Sequence, residues 1–80
     1  MRRFNDDSGA PWEAFVRERA GDDYKGRFWF VMVPDGGTER EEVELIDVRW
    51  NSKRTAERTL RTMSEWELRR RLRSALGRAA

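Results

Sequence analysis

The sequence predicts an α+β domain: a four-stranded antiparallel meander followed by two C-terminal helices. Three observations predict it. Apolar residues recur with a period near 2 up to residue 50 and near 3.6 beyond it. Clusters of turn formers at 5–9, 21–26 and 34–38 cut the first part into four short segments. Eighty residues allow a single domain, 1–80, with strands within about 2–50 and helices at about 53–62 and 65–76. A short, curled SH3-like barrel with an appended helix is the nearest alternative.

The first strand is expected over Arg2 to Asn5, with Phe4 inward. Asn5-Asp6-Asp7-Ser8-Gly9 reverses the chain. Pro11 to Arg19 forms the second strand. Trp12, Ala14 and Val16 share one of its faces, and Glu13, Phe15 and Arg17 the other. Phe15 is out of place on a polar face, and is expected either to cover an edge or to meet the helices. Gly21 to Gly26 is a loop. The run Phe28-Trp29-Phe30-Val31-Met32-Val33 marks the third strand, from Arg27, as central and covered on both faces. Pro34-Asp35-Gly36-Gly37-Thr38 is turn chemistry for a hairpin. In the fourth strand, Glu41 to Trp50, the alternation Val43, Leu45 changes phase to Ile46, Val48, Trp50. That change predicts a β-bulge near Leu45-Ile46.

Asn51 or Ser52 caps a helix from Lys53 to Thr62. Ala56, Leu60 and Met63 form its apolar stripe. Lys53, Arg54, Arg58 and Arg61 lie away from that stripe, with Glu57 placed to pair with Arg61. Ser64 caps the second helix. Glu67 completes a capping box, Met63 and Leu68 a hydrophobic staple, and Gly77 the C-terminal stop. Leu68, Leu72, Ala75 and Leu76 form the apolar stripe of this helix.

Composition excludes much chemistry. The chain has no cysteine and no histidine. Disulfides, thiolate metal sites and the commonest general base are therefore excluded. Only a carboxylate site for Mg²⁺ or Ca²⁺ stays open, and no cofactor is expected. The core must come from four Trp, four Phe and one Tyr. The longest apolar run, six residues, is far shorter than the roughly 20 that span a bilayer. The N-terminus has no apolar signal region, so a cytoplasmic location is expected. Fifteen arginines against two lysines read first as composition bias. Residues 1–50 carry 8 basic and 12 acidic side chains, net −4; residues 51–80 carry 9 and 3, net +6. Such a split suggests a basic contact surface, or two halves that attract each other.

The second helix concentrates the candidate chemistry. At 100° per residue, Trp66, Arg69, Arg70 and Arg73 fall together opposite the leucine stripe. Glu65 is placed to pair with Arg69 and Glu67 with Arg71, leaving Arg70 and Arg73 without a helical carboxylate. Trp66 and Arg70, four apart, are in cation–π reach. Trp and Arg dominate interface energetics, so these four residues are the candidate partner-binding face. A protein partner or self-association is the leading expectation. Phosphate-backbone binding through the two helices is the alternative. The competing structural reading folds Trp66 back onto the preceding helix or Trp50. A small-molecule ligand and a membrane partner are not expected.

Other constellations carry less. Asp6-Asp7-Ser8-Gly9 and Asp22-Asp23 lack EF-hand ligand spacing and read as polar turns. Glu39, Glu41, Glu42 and Glu44 form an acidic patch suited to solubility, edge protection or attraction to the basic helices. Gly36-Gly37 precedes no phosphate-loop Lys-Ser/Thr. Ser8, Ser52, Ser64 and Ser74 have no base beside them in the sequence to activate a nucleophile, so no enzymatic activity is expected.

The pattern Arg3-Phe4, Asp7, Gly9, Trp12-Glu13, then Met63-Ser64-Glu65-x-Glu67-Leu68, resembles short bacterial domains of unknown function. In those domains an R-x-F-like strand, a D-x-x-G-x-x-W-like turn and a terminal S-x-x-E-L helix recur. The resemblance implies a bacterial, cytoplasmic setting and supplies no activity.

Overall fold

The computed structural model describes residues 1–19, 27–37 and 41–79. Strands β1 (Arg2–Asn5), β2 (Pro11–Glu18), β3 (Phe28–Pro34) and β4 (Val43–Trp50) precede helices α1 (Lys53–Thr62) and α2 (Glu65–Ala79). The four strands form one antiparallel sheet in the order β1-β2-β3-β4. The sheet is a meander and does not close. Helix α1 packs under β2 and β3, while α2 lies against β1 and β4, the two edge strands. The expected loop at 21–26, with Asp22-Asp23, and residues Thr38 and Glu39 lie outside the described residues.

One face of the sheet meets the helices. Phe4, Trp12, Ala14, Phe28, Phe30, Met32 and Leu45 face Ala56, Leu60 and Met63 of the α1 segment and Leu68, Leu72 and Ala75 of α2. Trp50 stacks on Phe30, with ring centroids 4.3 Å apart. Removing such apolar surface from water contributes roughly 25 cal/mol per Å². A chain of this size without disulfides depends on that term.

The central strand is buried on both faces, as the apolar run Phe28–Val33 implies. Trp29 and Val31 are buried but face away from the helices. Their cover comes from long side chains of the neighbouring strands. Arg17 makes a bidentate pair with Glu42 (2.8 and 3.0 Å) and lies over the Phe15 ring. Arg49 lies over the Trp29 ring, and Trp29 Nε1 donates to Glu44 at 2.9 Å. Phe15 pairs in register with Val31, so it serves this outer face and neither an edge nor the helices. Glu42 and Glu44 are likewise engaged on the sheet, where attraction to the basic helices was one expectation.

The phase change in β4 is a bulge. Leu45 and Trp50 are five apart, so a regular strand would place them on opposite faces. Phe30 pairs with Leu45 and Phe28 with Trp50, so residues 46–49 face the single residue Trp29. Both Leu45 and Trp50 thereby reach the core side. Ile46 and Val48, expected to alternate inward, are instead 50% and 44% exposed.

Turns and caps follow local chemistry. Asp6 organises the β1–β2 turn. Its Oδ1 accepts from Ser8 N (2.9 Å), Ser8 Oγ (2.7 Å) and Ala10 N (2.9 Å), and its Oδ2 from Trp12 Nε1 (2.8 Å). The hydrogen bonds from the Ser8 hydroxyl and the Trp12 indole hold this carboxyl down at about 2. In the β3–β4 hairpin, Gly36 adopts φ +77° and Gly37 N donates to Pro34 O at 2.7 Å. Ser52 Oγ accepts from Thr55 N, and Ser64 Oγ from Glu67 N. The Glu67 carboxylate does not close the capping box; arginines occupy it. Gly77 does not stop α2, which runs on to Ala79. Its φ is not positive, and a Cβ there would meet nothing within 4 Å. Leu76, assigned to the apolar stripe, is 44% exposed because the stripe reaches the sheet only as far as Ala75.

Candidate functional site

Three of the four tryptophans belong to the fold: Trp12 and Trp29 are buried and Trp50 is half-buried. Trp66 is the exception, 63% exposed in the first turn of α2. It does not fold back on α1 or Trp50. The reason is geometric. Leu68 and Leu72 turn α2 so that its leucine stripe meets the sheet, and Trp66 stands off that stripe. The Arg70 guanidinium lies over the indole, 5.8 Å from the ring centroid.

The other sequence-predicted residues divide. Arg69 turns toward the β1–β2 side, donating to Glu65 at 3.2 Å and more loosely to Asn5 O at 3.5 Å. Arg73 donates to Asp7 in the β1–β2 turn at 2.7 Å. Arg69 and Arg73 border a shallow cavity of about 230 Å³ with Asp6, Asp7, Ser8 and Leu72. Arg70 lies on the opposite flank of α2. There it borders a second cavity of about 260 Å³ with Leu45, Asp47, Val48, Arg71 and Ser74. The four residues therefore do not form one face: Trp66 and Arg70 stay together, and Arg69 and Arg73 point elsewhere.

Arg70 also has a helical carboxylate, contrary to the expectation from spacing. Its Nε and Nη2 grip the two oxygens of Glu67 at 3.0 and 2.8 Å, while Arg71 Nε takes Oε2 at 2.9 Å. The i,i+3 geometry serves Arg70 and the i,i+4 geometry serves Arg71. Hydrogen bonding from Arg70 leads in holding the Glu67 carboxyl below the usual carboxylate range, and the same pairing raises the Arg70 pKa. Thus Arg69, Arg70, Arg71 and Arg73 share three carboxylates: Glu65, Glu67 and Asp7.

Helix α1 is the reverse case. Arg54, Arg58 and Arg61 are exposed, and none forms an ion pair among the described residues. The expected Glu57–Arg61 pair is absent. The end of α1 is tied down by a residue outside the candidate set. Arg2 Nη1 donates to the carbonyls of Leu60 (3.3 Å), Arg61 (3.0 Å) and Met63 (2.6 Å), which α1 leaves without helical partners. A signal for it exists in the sequence. Arg2 is two residues from Phe4, so it shares the core-side face and must find acceptors there.

Both cavities fall below the roughly 300–1,000 Å³ of small-molecule sites. Among the described residues no group of three or more acidic side chains is placed to hold a metal ion. No described helix is long and apolar enough to cross a membrane. No family model, curated protein or solved structure matches the chain.

Proposed function

We propose that the chain is a non-catalytic interaction module that docks a protein partner, or a second copy of itself, through Trp66 and Arg70 of α2. The supporting observation is the placement of Trp66. A small aromatic-rich domain leaves one indole 63% exposed, with a guanidinium over it. Indoles bury a large area with only two torsions to freeze, and guanidinia present a planar fork of donors, so both recur as interface anchors. Arg70 is already oriented by Glu67, so little order is lost on docking. Val48 borders the cavity beside Arg70 and adds exposed apolar surface to the same flank. The phosphate-backbone reading of α2 loses weight, since its four placed arginines are already held by carboxylates. The chain offers no histidine or cysteine, which favours a binding role over catalysis.

The test is partner capture by the tagged domain, with sedimentation against concentration for self-association. Trp66→Ala with Arg70→Ala leaves the fold intact. It weakens association by at least about 2 kcal/mol, or about thirtyfold. Unchanged association of the double variant refutes the assignment.

A further inference from the structure

The arginine row on α1 has properties the α2 face lacks. With 100° between residues, Arg54, Arg58 and Arg61 fall within one narrow arc. Ala56, Leu60 and Met63, which bury against the sheet, occupy the opposite side. Lys53, exposed in the first turn, lies about 100° round the helix from Arg54, at the rim of this surface. Two features mark this surface as more than a solvated face. First, its cations form no ion pair among the described residues, although Glu57 borders the row, in a protein that pairs most arginines elsewhere. Second, Lys53 and Arg54 sit at the helix N-terminus, where the dipole disfavours positive charge. No acidic residue occupies that first turn. Local stability would favour the opposite sign.

The chemistry of the row selects among polyanions. It has no aromatic or aliphatic anchor of the kind that fills a protein pocket. The apolar face of α1 is buried in the core, so the helix has nothing to insert into a lipid surface. What remains is a rigid line of guanidinium forks, suited to phosphate oxygens. Seven residues of helix cover about 10 Å, along which duplex DNA presents about six backbone charges.

We propose that the solvent face of α1, formed by Lys53, Arg54, Arg58 and Arg61, binds the phosphate backbone of a nucleic acid without reading its sequence. This surface is separate from the Trp66–Arg70 contact and stands or falls independently of it. The test is fluorescence anisotropy of a labelled mixed-sequence 20-base-pair DNA and a labelled single-stranded RNA, titrated between 20 and 200 mM salt. The expected result is a slope of log K against log salt of about −3 on at least one of them. Each single Arg→Gln substitution at 54, 58 and 61 reduces that slope by about one. The exposed positions and the helix propensity of Gln keep these variants folded, which circular dichroism checks. Arg70→Gln with Arg73→Gln leaves the slope unchanged. Absence of binding to both probes at 20 mM salt overturns the proposal. So does binding indifferent to the α1 substitutions, or equal salt-sensitive binding to polyglutamate or phosphatidylserine vesicles.

Discussion

Helix α2 carries Arg69, Arg70, Arg71 and Arg73, and carboxylates at Glu65, Glu67 and Asp7 take up all four. Helix α1 carries Arg54, Arg58 and Arg61, and no carboxylate among the described residues pairs with any of them. The two helices are equally arginine-rich to the eye and electrostatically different. Spacing alone does not make the difference. Glu65 and Glu67 stand three or four residues ahead of arginines and pair with them, whereas Glu57 stands four ahead of Arg61 and does not. A basic stretch of sequence is therefore not by itself a basic surface. The surface is set by which carboxylates are brought into contact with the arginines, as the fold brings Asp7 to Arg73.

The largest expected effects come from the residues that anchor the two helices. Leu60→Ala and Leu68→Ala each empty a fully buried site and are expected to cost about 2–5 kcal/mol, measured by urea denaturation. A much smaller cost for Leu60→Ala would mean that α1 is loosely held and that its arginine row is not a fixed surface. The caps sharpen the contrast at a lower energy. Ser52→Ala and Ser64→Ala each remove a side-chain acceptor worth about 1 kcal/mol. The loss is expected to be larger for Ser52. At α2, Glu65 and Glu67 still complement the helix dipole, and α1 has no equivalent.

The smallest effect comes from pH and makes α2 resemble α1. Glu67 is held below the ordinary carboxylate range, chiefly by its hydrogen bonds from Arg70. Its contribution is fully present above the unfolded value and is lost as pH falls through the depressed folded value. The stability gap between the native chain and Glu67→Gln is therefore expected to be constant near neutrality and to narrow as the medium is acidified below the normal carboxylate range. Denaturation series at neutral and acid pH measure it. A gap that widens with acid would show that Glu67 does not hold Arg70 and Arg71.

Most of the fold was legible because local signals agreed with one another. The boundaries of β1 and α1 follow from Phe4 with the Asn5–Gly9 turn, and from Ser52 ahead of Ala56 and Leu60. The Leu45–Ile46 bulge was readable from a single phase change. What it exposes was not, because four residues against one leave Ile46 and Val48 outside the alternation. Of the candidate site, the exposure of Trp66 and its stacking with Arg70 were open to helical geometry. The dispersal of Arg69 and Arg73 was not, since it depends on Asn5 and Asp7, which lie more than 60 residues away in sequence. Arg2 was missed for the same reason, as its acceptors are carbonyls of a helix at the other end of the chain.

The bulge in β4 has a consequence for how the protein behaves when crowded. An open sheet has two rims, each of which can template a foreign strand through unpaired N–H and C=O groups. Here one rim is β1, only four residues long. The other is β4, whose regular ladder breaks for the four residues facing Trp29. Neither rim presents a long straight row to a neighbour, and α2 lies against both. The same irregularity that turns Leu45 and Trp50 to one side thus also makes β4 a poorer template for an added strand.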